Sequence, residues 1–225
     1  MPMAQRKLFR YRITFTKTDK CRFMGHLDLQ AFFQRAMKRA KLPIAYSEGF
    51  NPHQLMSFAQ PLSLGYGGLQ ELLEVEMLNA VCTNEIVTSL NNVMPQGISI
   101  ISVIESPPGK AAALVDRADY TIDFSDTSIG LKKLEETILN IMSADEVMVI
   151  KKGKFLQSDI RPDIYALSVV ADGDKIYMKA TLAAGSARNL RPSEVVKFIL
   201  ENNGMYDEMK FCNYQREAII LREKP

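Results

Sequence analysis

The only two histidines of the chain, His26 and His53, sit in its two most unusual stretches. RFMGHLDL, residues 22–29, places Gly25 where the backbone must be free. It also places Asp28 in the first turn of a following helix, where a carboxylate suits the positive end of the helix dipole. YSEGFNPHQLMSFAQPLSLGYGG, residues 46–68, holds four glycines and two prolines but no lysine or arginine. Within it Gly49 permits positive φ, Asn51 tolerates it and Pro52 fixes the next turn, so the loop presents Phe50 and His53 in a defined direction.

Three chemistries remain open for these residues. In the first, Asp28 and Ser47 satisfy backbone donors and the histidines are hydrogen-bonded struts. In the second, Arg22 meets a phosphate while Tyr46, Phe50 and His53 stack on or hydrogen-bond a base. In the third, His26 and His53 act as an acid–base pair in RNA cleavage, or join Asp28 and Cys21 around zinc. No local spacing enforces a metal site. Further along, QSDIRPDI brings Asp159 and Arg161 to a strand entrance. GSARNLRPSE brings Arg188 and Arg191 to a helix start, either as a phosphate site or as ordinary helix-entry residues.

The elements that must position these residues follow from periodicity. Phe9 to Phe15 alternates as a half-buried strand, and Leu29, Phe32, Phe33, Ala36, Met37 and Ala40 form a helical stripe that Pro43 ends. A short strand near Leu55–Ala59, the strand QELLEVEML, a helix from a Thr83 cap and the strand ISIISVIE complete a β-α-β-β-α-β run. After the Pro-Pro-Gly of residues 107–109 a second run begins at Tyr120. It comprises a helix with Leu131, Leu134, Ile138 and Ile141 inward, strands EVMVIKK, IYALSVVA and KIYMKATLA, a helix from Pro192 and a closing strand. The expectation is an α+β chain of two tandem ferredoxin-like lobes with antiparallel sheets. An N-terminal lobe of residues 1–105 carries the main motifs, 106–117 is a linker, and 118–225 is a C-terminal lobe. The open sheet face of such a lobe can serve as an RNA platform or be buried.

Composition narrows the class. At 225 residues, 47% hydrophobic and 24% charged, the chain is globular, and no apolar run is long enough to span a membrane. Cys21, Cys82 and Cys212 are scattered, which predicts a reduced, cytoplasmic protein with no cysteine-held cluster. Phosphate-loop, dinucleotide, HExxH and GxSxG signatures are absent, so no cofactor, metal or evident catalytic set is implied. Net charge is only +2, but residues 1–45 carry eleven Lys or Arg against Asp19 and Asp28. Residues 46–105 carry six Glu and no Lys or Arg. Such asymmetry marks either a nucleic-acid surface or the exposed faces of one strand and one helix.

RFMGHLDL, YSEGFNPHQLMSFAQPLSLG, DIRPDI and NLRPSEVV together resemble a bacterial family named for its association with radical SAM enzymes. The resemblance covers nearly the whole chain. It departs from the family pattern at Gln54, where proline is usual, and near Gly67 and Gly68. Members lie beside, or are fused to, a radical SAM protein, and often sit near genes for an E/G-type ribonuclease and ribosomal proteins. The resemblance implies an accessory RNA-binding protein that works with a radical SAM enzyme in RNA maturation or modification. The alternatives are an RNA-processing enzyme using His26 or His53 and a protein–protein adaptor for the radical SAM partner.

Overall fold

The computed structural model describes residues 7–107, 109–150 and 157–222. The chain divides into two compact units, Met1–Leu114 and Val115–Pro225. It is a mixed α+β protein whose strands pair antiparallel. No helix among the described residues is long and apolar enough to cross a membrane.

The first unit runs β1 (Phe9–Lys17), α1 (His26–Arg39), β2 (Met56–Phe58), β3 (Gly67–Met77), α2 (Thr83–Asn91), β4 (Ile98–Glu105) and the short α3 (Ala111–Leu114). β1 lies between β3 and β4, and β2 pairs with β3. Alternation decides the faces: Tyr11, Ile13 and Phe15 of β1 and Leu73, Val75 and Met77 of β3 turn inward. They meet Leu29, Phe33, Ala36 and Met37 of α1 and Ile86 and Leu90 of α2, so both helices cover one side of the sheet. Phe33 has no exposed surface and sits edge-on to Phe15 at 4.8 Å and to Phe58 at 5.8 Å. Such a ring contributes about 3–5 kcal/mol by the usual cost of Phe→Ala. α1 ends in a Schellman pair, Lys41 N–H to the Lys38 carbonyl and Leu42 N–H to the Met37 carbonyl. Lys41 is left-handed at φ 55° just before Pro43.

The second unit runs β5 (Val115–Asp123), α4 (Leu131–Ser143), β6 (Met148–Ile150), β7 (Gln157–Asp159), β8 (Ile164–Asp172), β9 (Lys175–Ala183), α5 (Pro192–Asn202) and β10 (Asn213–Leu221). Its main sheet has the order β10-β5-β9-β8, while β6 and β7 form a separate pair. Ala118, Tyr120 and Ile122 of β5 are buried, as are Leu134, Ile138 and Ile141 of α4 and Val195, Val196, Ile199 and Leu200 of α5.

Some expectations need correction. Residues 106–117 are not a free linker. Ser106 N–H donates to the Arg10 carbonyl, Ala111–Leu114 is helical, and β5 starts at Val115, five residues before the expected strand. α2 has Cys82 at its cap, with no side-chain cap bond, and Thr83 is its first residue. Leu131 is only half-buried. QSD, which the sequence placed at a strand entrance, is itself the short strand β7, because its backbone finds β6 as a partner. The expected strand EVMVIKK runs past Ile150 into residues 151–152, outside the described residues.

Candidate functional site

The sequence-predicted residues of the first unit lie along α1 as a strip. At one end the Arg22 carbonyl accepts from Gly65 N–H at 2.9 Å, and Arg22 Nε donates to the Gly65 carbonyl at 2.6 Å. Arg22 thus latches the end of the glycine-rich loop to the segment before α1, and its guanidinium also lies 5.5 Å from the Phe23 ring. Next comes His26, exposed, with its ring edge-on to Phe58 at 5.5 Å. Asp28 is exposed and folds over Gly25, where a Cβ would stand 3.2 Å from its Oδ2.

Two turns further along α1, Gln54 Nε2 donates to the Gln34 carbonyl at 3.1 Å and to the Tyr46 hydroxyl at 3.2 Å. This joins the loop to the middle of the helix. Tyr46 and Gln54 also form a backbone bridge. Beyond it the loop closes on itself. Ser47 N–H donates to the His53 carbonyl, His53 N–H donates to Ser47 Oγ at 3.0 Å, and Ser47 Oγ lies 2.8 Å from His53 Nδ1. The loop tip carries Gly49 at φ 114°, Asn51 exposed, and Phe50 with its ring wholly in solvent.

The structure therefore brings Tyr46, Ser47 and His53 together, but gives His26 a different neighbour. His26 and Gln34 are eight residues apart, about 12 Å of helical rise. A shared acid–base pair needs hydrogen-bond reach through one proton path, and each histidine instead has its own partner, Phe58 or Ser47. Among the described residues, no group of three or more His, Cys, Asp or Glu could hold a metal ion.

The charge asymmetry resolves into two parts. Arg10 stands opposite Glu76, and Arg12 opposite Glu74, in the β1–β3 register. Arg10 Nε lies 2.9 Å from Glu76 Oε1, and Arg12 NH2 lies 2.9 Å from Glu74 Oε1. Glu74 also accepts from the Ser106 hydroxyl and from Ala111 N–H, each at 2.8 Å. These β1 cations are cross-strand partners of β3 carboxylates, so this open sheet face is not a basic surface. On α1, by contrast, Arg35 and Lys38 are exposed and have no acidic partner among the described residues; the same holds for Lys20 and Lys41. Arg39 is exposed too, donating to the Val93 carbonyl at 3.1 Å and lying 5.8 Å from the Phe32 ring. Of these exposed cations, Arg35 and Lys38 lie one and four residues after Gln34, the α1 residue to which the Tyr46–His53 loop is bonded.

In the second unit Arg161 is structural. Its guanidinium donates to the carbonyls of Ile164 at 3.0 Å and Met142 at 2.9 Å. Asp159 does not pair with that side chain; its Oδ1 accepts from Val147 N–H and Arg161 N–H at 2.8 and 2.9 Å. Those two backbone bonds, Val147 first, hold its carboxyl below the usual aspartate value. Arg188 pairs with buried Asp163, and Arg191 reaches Glu194 in the first turn of α5 at 3.2 Å. The open face here is also self-satisfied: Lys179 donates to Thr121, Thr121 to Glu217, and Thr181 to Asp119. Sequence reasoning missed the exposed apolar trio Phe23, Leu27 and Leu64, at 67%, 77% and 65% exposure. It also missed Gln54 as the hub of the loop; the signal was its departure from the expected proline, since only a glutamine side chain bridges Gln34 and Tyr46.

A family model described as uncharacterized protein conserved in bacteria (DUF2344) matches residues 10–192. The chain belongs to this family. The matched span takes in every candidate residue named above. Among curated proteins none matches the chain. Among solved structures, a chain from the crystal structure of a Cbf5-Nop10-Gar1 complex is similar at 11% identity and a TM-score of 0.50. The likeness covers 93% of this chain and 48% of that one, so this chain spans about half its length, and what is shared is fold. An unknown protein from Galdieria sulphuraria aligns over 96% of this chain and 100% of its own, at 10% identity and a TM-score of 0.28.

Proposed function

We propose that this protein is a two-lobed accessory RNA-binding protein whose lobes are ferredoxin-like, and that it presents RNA to a radical SAM enzyme. One observation carries the reading. The glycine-shaped loop with exposed Phe50, half-open Tyr46 and His53 is fastened through Gln54 beside the exposed Arg35 and Lys38 of α1. Aromatic rings next to unpaired cations are what a single strand needs, since bases stack on the rings and phosphates meet the charges. The β-α-β-β-α-β order of the first unit and its strand order β4-β1-β3-β2 support the ferredoxin-like reading.

The test is titration of a labelled single-stranded RNA at several salt concentrations. With about four phosphate contacts, counterion release gives a log–log slope near −3. Absence of binding to total cellular RNA at low salt would sink the reading. A second role, as adaptor, is favoured by exposed Phe23, Leu27 and Leu64, since aliphatic surface suits a protein partner better than a base. Co-purification of a radical SAM enzyme that is lost on Leu27→Asp supports that role. Co-purification unaffected by Leu27→Asp and Leu64→Asp together removes it.

A further inference from the structure

We propose that the outer edge of β8 in the second unit is an interface for a second copy of this chain, the two β8 strands pairing antiparallel about a two-fold axis. β8 is the last strand of its sheet, and β9 is the one strand paired with it among the described residues. Which backbone groups face the edge follows from β9. Ile176 donates its N–H to Ser125 Oγ at 3.1 Å, and its carbonyl accepts from Phe124 N–H at 2.9 Å. Both groups therefore point away from β8, which makes Ala171 and Ile176 a non-hydrogen-bonded pair. Ala171, and by the two-residue alternation Val169 and Leu167, thus turn their N–H and C=O groups to the open edge.

Open edges are normally protected by lysine, proline or a bulge. β4, an edge strand of the first unit, carries such a bulge: Thr14 faces Ser102 and Phe15 faces Ile100, which leaves Ile101 over. β8 runs from Ala166 to Asp172 without a register shift, and Ile164 to Ala171 include no charged residue and no proline. A second copy meets no repulsion there. With the axis at Val169, Leu167 of one copy lies opposite Ala171 of the other, and Ser168 opposite Val170. No like charges then meet, and about six backbone bonds form. The helix above extends this surface. α4 packs on β8, and its Thr137 accepts from Asn203 at the end of α5. Leu139, two residues on and about 200° round the helix, lies on the flank away from α5, the side of the β8 edge. It is 68% exposed, and the two-fold turns the Leu139 of each copy towards the other across the seam.

The experiment is sedimentation velocity of the full-length protein over a concentration series up to about 100 µM, since mass action governs a self-associating pair. Wild type is expected to pass from the mass of one chain to twice that mass. Ser168→Lys with Val170→Lys sets lysine opposite lysine across the seam and should hold the protein as a monomer. Ser168→Asp with Val170→Asp should do the same. Mixed in equal amounts, the two double variants should recover the dimer, because each lysine then faces an aspartate. Both positions are exposed, and thermal melting checks that the fold is kept. Leu139→Asp leaves the sheet untouched and should raise the dimer dissociation constant about tenfold. A wild type that stays monomeric throughout overturns the proposal and leaves a strand from a different protein as the occupant. A dimer that survives the lysine pair, is not recovered in the mixture, or is indifferent to Leu139→Asp overturns it as well.

Discussion

Phe50 shows how a single residue's role depends on its surroundings. A phenylalanine between glycine and asparagine reads equally well as a core anchor or as a presented ring, and here its ring lies wholly in solvent. Phe50→Ala should therefore leave the melting temperature unchanged while weakening RNA binding by about 1–3 kcal/mol, the value of one base stack. Thermal melting measured beside an unchanged salt slope checks both halves. Arg22 went the other way: the side chain expected to meet a phosphate instead donates to the Gly65 carbonyl. The cysteines divide by environment. Burial is the main cause that pushes the Cys212 thiol up to about 12, with the nearby carboxylates of Asp123 and Glu208 adding to it, whereas Cys82 is exposed. A thiol reagent at pH 7.5 should label Cys82 within minutes and Cys212 only after unfolding, because the thiolate is the reactive form. Equal labelling rates in the native protein would contradict the burial.

At the scale of elements, Glu74 links three segments. It faces Arg12 across β1–β3 and holds Ser106 and Ala111 against the sheet. The Arg12 and Glu74 side chains are only 10% and 12% exposed, so Glu74→Ala strands a nearly buried guanidinium and frees two donors. A loss of about 3–5 kcal/mol in urea unfolding is expected. A change within 0.5 kcal/mol would mean the pair is solvated. Asp159 gives a pH-dependent counterpart in the β6–β7 region. Its pKa is lowered in the fold, so its stabilising effect is present above the unfolded value and lost as pH falls through the folded one. Wild type and Asp159→Asn should differ in stability at pH 7 and converge on acidification. Curves that stay parallel down to pH 2 would show that the carboxylate charge is not what matters.

At the scale of the whole molecule, what distinguishes the RNA reading is where the uncompensated charge lies. Arg35→Ala and Lys38→Ala together should flatten the log–log salt slope by nearly two contacts, about 1.4 units for a single strand, without loss of stability. Arg10→Ala should leave the slope unchanged, because that side chain already faces Glu76. The reverse pattern would move the binding surface to the sheet. Much of this architecture was legible in the chain alone. The two-residue period of β1 and the helical stripe of α1 are local patterns, fixed by which side chains must leave water. The shaping of the 46–68 loop by Gly49 and Pro52 was equally local. Pairing across distance was not. Whether Arg12 met a phosphate or Glu74 depended on the β1–β3 register, and whether residues 106–117 hung free depended on Glu74 being within reach of them. His26 and His53 share a residue type and a loop-rich setting, but about two turns of α1 separate His26 from Gln34, where the His53 loop is bonded. Charge, ring and hydroxyl act at a few ångströms, so the sequence by itself determined which groups were present, and only the tertiary structure decided which of them met.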